Sequence, residues 1–253
     1  KLIPEWGGER NGGTWSDGTI YYEVVPKDAF DKILWIDSDR LGFMINTVTE
    51  EALEAEKQVV KNEKRERVDN APYGYTDEII RSNLYPGHHP YHWTVIGSLP
   101  DLQAATLDDV KEFYDQYYGA NNATLVIAGD INLAEAKEKV QRWFGEIRKG
   151  PEVKPLGPMP ARLDQTKSLY FEDNFARLPE LRMVFPSVEN YHQDTYALIM
   201  LGELLSGSRK SPLYKIIVEE KKLASGVTCS QSSDELAGEF EIRVRANAGV
   251  DLD

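Results

Sequence analysis

A single cysteine, Cys229, stands in 253 residues. One thiol excludes an internal disulfide and a thiolate metal cage, so neither a disulfide framework nor a zinc finger is available. Positive charge is also short, since 29 Lys and Arg against 42 Asp and Glu leave a formal net charge of −13. Without a basic stripe to displace counterions from phosphates, nucleic acid is excluded as a partner, whereas basic peptides are acceptable ones. No window approaches ~18 consecutive apolar residues, so no membrane span is expected. Collagen-like repeats, heptad arrays and low-complexity tracts are missing too. What the chain does have is 41% hydrophobic and 10% aromatic residues. At ~150 residues per domain that suffices for one or two globular units with their own cores.

The pattern of elements is mixed α+β. After a glycine-rich opening, Thr14-Trp15 and Thr19 to Val25 read as two strands around the turn Ser16-Asp17-Gly18, which makes a hairpin. Residues 27–41 carry apolar positions at helical spacing, and a longer helix is expected from Thr49, an N-cap candidate, to Val68, ended by Asp69-Asn70-Ala71-Pro72. Helices follow at Thr76 to Leu84, at Leu107 to Tyr118 behind the cap-like Thr106, and at Leu133 to Phe144, with a short strand at Ala123 to Ala128. Residues 149–160 read KGPEVKPLGPMP. So proline-rich a stretch cannot form regular ladders and should be an extended tether. Beyond it, strands are expected at Lys167 to Phe171 and Leu181 to Phe185, helices at Thr195 to Leu205 and Leu213 to Lys221, and a closing strand pair at Gly226 to Ser230 and Glu239 to Arg245. The second half repeats the element types of the first, which points to a duplicated fold. The start at Lys1-Leu2-Ile3-Pro4, without an initiator Met, and the stop at Asp253 just after a strand-like run suggest an interior piece of a longer protein.

The most informative helix contains Glu56 and Glu63, seven residues apart. At ~100° per residue they fall within ~20° of each other on one stripe, two turns apart, with Val59 between them. Two carboxylates on an apolar stripe are costly to bury unless a cation or donor meets them. Spacing alone is equally served by a solvated acidic face on which Glu63 pairs with Arg67 at i, i+4. A rival cluster is His88, His89 and His92 in GHHPYHW. His88 and His92 have helical spacing, but Pro90 between them argues against a helix.

The run from Trp6 to Val25 (within it GGERNGGTWSDGTIYYEVV), the E-x6-E helix, NNATLVIAGD, RWFGEI and the segment from Leu204 to Val227 together resemble the pitrilysin/insulinase family, the M16 metallopeptidases, and most closely the subgroup of mitochondrial processing peptidase and its bacterial relatives. The resemblance covers nearly the whole chain. It implies a duplicated M16-type (LuxS/MPP-like) α+β fold, each domain a mainly antiparallel sheet packed with helices and the pair incomplete at both ends. Residues 1–148 would be the metal-bearing domain, residues 149–163 a Pro/Gly-rich linker and residues 164–253 the first part of a second domain. The family's zinc site is an inverted His-x-x-Glu-His on one helix plus a Glu from a later helix. No His-x-x-Glu-His occurs in this sequence. By resemblance Glu63 is the carboxylate ligand of one Zn²⁺ per complete site and Glu56 the acidic residue that orients it. The His ligands and general base would then lie upstream, and the fragment alone is expected to be inactive.

Asn11-Gly12-Gly13-Thr14 corresponds to the Asn-Ala-x-Thr edge strand on which the family adds its substrate peptide or unfolded polypeptide as an extra strand. Gly12 stands where Ala is usual, which keeps the backbone donors but loosens the strand. The alternative is that these glycines only shape a turn. The distal Arg and Tyr pair of the family is absent. Trp143, Phe144, Tyr117, Tyr118 and the NNATLVIAGD run are expected in packing, and Cys229 in a core. The resemblance implies a zinc endopeptidase, with a non-catalytic M16-like partner subunit as the alternative and an unrelated α+β binding protein behind both. A homo- or heterodimer with another M16-like subunit is an expected assembly. Of the compartments, the bacterial periplasm or cell envelope is preferred to the cytoplasm.

Overall fold

The computed structural model describes residues 2–250. The start at Lys1 and the stop at Asp253 lie outside the described residues. Along the chain run α1 (Leu2–Glu5), β1 (Glu9–Trp15), β2 (Gly18–Val24), α2 (Phe30–Gly42), α3 (Glu50–Lys64), α4 (Thr76–Leu84), α5 (Leu99–Ala104), α6 (Leu107–Tyr117), α7 (Leu133–Phe144), β3 (Glu180–Ser187), α8 (Thr195–Ser206), α9 (Pro212–Tyr214), β4 (Ala224–Ser233) and β5 (Gly238–Ala246). The fold is α+β, with antiparallel sheets packed with helices. The chain divides into two compact units, Lys1–Lys61 with Gly97–Pro155, and Asn62–Ile96 with Leu156–Asp253. No described helix is long and apolar enough to cross a membrane.

In the first unit the hairpin is in register from Glu9↔Val24 to Trp15↔Gly18. The Trp15 indole lies over Gly18, where a Cβ would come within 3.1 Å of the ring, so a side chain there requires the exposed indole to shift by a few tenths of an ångström. Strand β1 begins earlier than the strand pattern suggests and runs through Gly12-Gly13. Helix α2 packs against α7, burying Ile33, Leu34 and Ala136. Asp31 ties them, accepting from Lys139 Nζ and Trp143 Nε1 at 3.1 Å each. The Tyr114 hydroxyl on α6 donates to the Leu41 carbonyl at 2.6 Å, satisfying one of the acceptors that the end of α2 leaves open. Thr106 and Asp109 form a capping box at the start of α6.

In the second unit the sheet order is β3-β5-β4. Helix α8 packs on β4, and Val227, Cys229, Phe240 and Val244 form the core with Leu198 and Leu205. Cys229 is buried and free. A second cluster holds Leu84, Tyr85, Tyr91, Ala161, Leu236 and Ala237. The helix expected from Leu213 starts at Pro212 and continues as a π-turn, Lys215–Glu220.

Two expected strands do not form. Residues 123–128 and 167–171 are irregular, and Val126 and Tyr170 are 80% and 91% exposed. Both runs have strand propensity, but among the described residues neither has a neighbouring strand to complete its hydrogen bonds. NNATLVIAGD therefore does not serve as core here, and Tyr117 also lies exposed. No helix or strand forms between Phe144 and Glu180, and the proline-rich stretch lies within that span.

Candidate functional site

Helix α3 starts with Thr49 Oγ1 accepting from the Ala52 N–H at 3.2 Å, and acidic Glu50 and Glu51 occupy its first turn, as the helix dipole favours. Its inward side is made by long cations: Lys57 and Lys64 are buried. Lys57 pairs with Glu54 at 2.6 Å, and Lys64 with Asp69 at 2.7 Å. Glu56 and Val59 face solvent. Glu63 Oε1 receives Arg67 Nη1 at 2.8 Å, the carboxylate side chain 38% and the guanidinium 75% exposed. The i, i+4 pairing that spacing allowed is thus formed. The helix continues as a π-turn, Arg65–Asp69, and ends where Asp69-Asn70-Ala71-Pro72 predicts.

The hairpin presents Asn11, Gly12, Gly13 and Thr14 on β1 as extended, exposed strand, not as a turn. Among the described residues β1 pairs only with β2, so its other edge is open. Asn11 Oδ1 accepts from the Gly12 N–H at 2.8 Å. One edge donor is therefore covered by the strand's own side chain, a common way of blunting an edge. Thr14 and Thr19 hydroxyls meet across the pair at 3.1 Å. A Cβ at Gly12 would lie 3.1 Å from the Ile20 carbonyl oxygen, so an alanine there requires β2 to give way by a few tenths of an ångström.

The three histidines of GHHPYHW do not converge as a metal cage. Pro90–His92 form one turn of 3₁₀ helix with His89 as its N-cap. The Tyr91 N–H donates to His89 Nδ1 at 2.9 Å, and His89 Nε2 meets the Met159 carbonyl at 2.8 Å. A bare Nδ1 and a protonated Nε2 are the tautomer these partners require, and both nitrogens are used. His92 Nδ1 faces the Tyr85 carbonyl at 2.8 Å. No group of three His, Cys, Asp or Glu able to hold a metal occurs among the described residues.

Sequence patterns miss one ionised cluster of the first unit. Arg40 Nη2 bridges Glu23 Oε1 at 2.6 Å and Asp37 Oδ1 at 2.9 Å, while its guanidinium covers the Tyr21 ring. The Tyr21 hydroxyl meets that of Tyr118 at 2.7 Å. Burial, and then the Glu23 charge, push the Asp37 carboxyl up to about 6. Burial raises the Tyr118 phenol as well. The only advance signal is the alternation of β2, which puts Tyr21 and Glu23 on one face.

A profile described as "Peptidase M16 inactive domain" matches residues 104–252. The zinc protease PqqE of Helicobacter pylori is 31% identical over 89% of this chain and 50% of its own length. A zinc protease of Bacillus subtilis, YmxG, described as uncharacterized, is 27% identical over 93% of this chain and 56% of its own length. The crystal structure of a protease from Helicobacter pylori superposes with a TM-score of 0.87 at 27% identity, covering 98% of this chain and 60% of that one. The chain spans about half the length of the curated relatives it matches. On the family profile and this identity together, the chain belongs to the peptidase M16 family.

Proposed function

We propose that this chain is part of a zinc-dependent M16 endopeptidase in which Glu63 donates a metal-binding carboxylate, Glu56 orients that ligand, and the β1 edge at Asn11, Gly12, Gly13 and Thr14 takes the peptide as an added strand. Residues 1–148 form the metal-bearing domain, residues 164–253 the beginning of a second domain of the same kind, and residues 149–163 the linker. The same proposal puts the enzyme in the bacterial periplasm or cell envelope, working on peptides or unfolded polypeptides, with another M16-like subunit as its partner.

The observation that carries the reading is the accessibility of Glu63. Its only ion pair among those resolved is with a guanidinium that is 75% exposed. Such an exposed i, i+4 pair is worth about 0.3–0.5 kcal/mol. A full zinc ligand set is worth about 10–16 kcal/mol at structural sites, so the pair is no obstacle to coordination. Carboxylate oxygen is a regular zinc donor, and this chain supplies one such donor, not a complete set. Bound zinc contributes a polarised water and a Lewis acid. The chain's own contribution is to hold one carboxylate rigid on a helix and to align the peptide through main-chain hydrogen bonds. An incoming strand that uses the Gly12 amide takes it over from Asn11 Oδ1.

A second reading, a non-catalytic M16-like subunit, draws on the profile's description as an inactive domain over 104–252. Glu56, Glu63 and the hairpin all precede that span, and for this reason we prefer the enzyme. The test is made in the complete polypeptide, by metal analysis and peptide cleavage. Glu63→Gln is expected to abolish zinc retention, and Glu56→Gln to weaken metal affinity or activity ~10- to 100-fold. Stoichiometric zinc and undiminished cleavage in Glu63→Gln would refute the assignment.

A further inference from the structure

The second unit contains a cavity of about 590 Å³ beside the 3₁₀ turn of Pro90–His92, a volume in the range of small-molecule sites. Its charge is at odds with the rest of the chain. Arg162 and Lys167 line it together with His88 and His92, and no Asp or Glu does, although those two types supply 42 of the 253 residues. We infer that this cavity is a binding site for a small multivalent oxyanion, held by Arg162 and Lys167 with His88 as a further donor and His92 in its wall, and independent of the proposed zinc site.

The wall behind it is built from residues already fixed by the fold. His89 is 2% exposed and both its ring nitrogens are committed, one to the Tyr91 N–H and the other to the Met159 carbonyl. Its ring lies 4.6 Å from that of Tyr85 and 5.1 Å from that of Tyr91. The Met159 N–H donates to the Leu236 carbonyl at 2.7 Å. A wall held this way keeps its shape without a ligand, which lowers the ordering cost of binding. The cations, by contrast, retain donors. Lys167 Nζ gives one hydrogen bond to the Asn83 carbonyl at 2.5 Å, leaving two of its three N–H groups. Arg162 is exposed, with its five donors in a planar fork suited to oxyanions. His92 also lines the cavity and donates Nδ1–H to the Tyr85 carbonyl, so its Nε2 can donate to an anion only as imidazolium. Leu84, Pro86 and Ala161 supply apolar wall, which suits an organic anion with a small hydrocarbon body.

Phosphate and carboxylate heads share this chemistry, and two probes separate them. The 253-residue chain is titrated calorimetrically at low ionic strength with pyrophosphate and, separately, with citrate, while imidazole signals are followed by NMR. One saturable site is expected for at least one probe. Pyrophosphate alone assigns the phosphate class, and citrate alone the carboxylate class. The affinity should fall with added NaCl and by at least ~10-fold in Arg162→Gln/Lys167→Gln, as expected for loss of charge-assisted hydrogen bonds. In the unaltered chain the His88 and His92 signals should shift while that of His192, outside the cavity, stays still. If the double variant fails to fold, those imidazole signals decide alone. The inference is overturned by no saturable binding of either probe up to ~10 mM, where affinity would be too weak to be specific. It is equally overturned by undiminished binding in the folded double variant, or by His192 moving as much as His88 and His92.

Discussion

If Glu63 ligates zinc as proposed, the metal and Arg67 compete for one carboxylate, and the magnitudes above favour the metal wherever the other ligands are present. Asp37 poses the opposite problem, because its carboxyl is crowded by a second acid. Pushed up to about 6 from an ordinary 3.8 by burial and by Glu23, with Arg40 opposing, it binds a proton more tightly in the folded chain than in the unfolded one. Folding is therefore favoured by this group below about pH 4, and the advantage is lost as pH rises toward 6. The loss is at most ~3 kcal/mol. Asp37→Asn should match the parent near pH 4 and exceed its stability at pH 7.5, flattening the profile between. Denaturation curves at the two pH values check this, and equal destabilisation at both would contradict it. None of this is visible in sequence, since residues 23, 37 and 40 lie on two elements that only folding brings together. The Glu56–Glu63 spacing, by contrast, is legible because one helix carries both.

Helix boundaries are set by short-range chemistry. Thr106 Oγ1 accepts from the Asp109 N–H at 3.2 Å, and Asp109 Oδ2 accepts from the Thr106 N–H at 2.8 Å. The Thr106 hydroxyl, donating to Asp109 Oδ2 at 2.7 Å, and then the Thr106 N–H hold the Asp109 carboxyl below its usual range. Thr106→Ala removes half of the box and should cost about 1 kcal/mol, measurable as a lower denaturation midpoint with unchanged slope. At the start of α3 only one such bond forms, Thr49 Oγ1 accepting from the Ala52 N–H, since Ala52 has no side-chain acceptor to return it, and Asp69-Asn70-Ala71-Pro72 stops the helix. Strands behave otherwise. The runs 123–128 and 181–185 both read as strands, yet only the second forms one, because β5 lies alongside it from Glu180↔Arg245 to Ser187↔Gly238. A helix satisfies its own backbone within the segment, whereas a strand needs a second segment from elsewhere. The hairpin was legible because its partner lies three residues away, across Ser16-Asp17-Gly18.

For the whole molecule the governing quantity is charge. A net −13 is a long-range field that attracts cationic peptides and weakens with salt. If the complete polypeptide is the proposed endopeptidase and the field of these residues steers its substrates, kcat/KM for Lys-rich peptides should exceed that for Glu-rich peptides of equal length at low salt, and the ratio should shrink toward unity at high ionic strength. Identical ratios at both salt levels would exclude steering by this field. The basic cavity at Arg162 and Lys167 is a local exception to it, and no count of charges along the chain foretells it, because residues 82–92 and 159–167 meet only in the fold. By itself, then, the sequence determined the longer helices, their caps and stops, the hairpin, the buried thiol, the family and the stripe on which Glu56 and Glu63 stand, but not the short helices Leu2–Glu5 and Leu99–Ala104. Only the tertiary structure decided which strand-like runs found partners, that His89 Nε2 is spent on the Met159 carbonyl, and where like charges were driven together. Those outcomes depend on hydrogen-bond partners and dielectric surroundings supplied by residues far away along the chain.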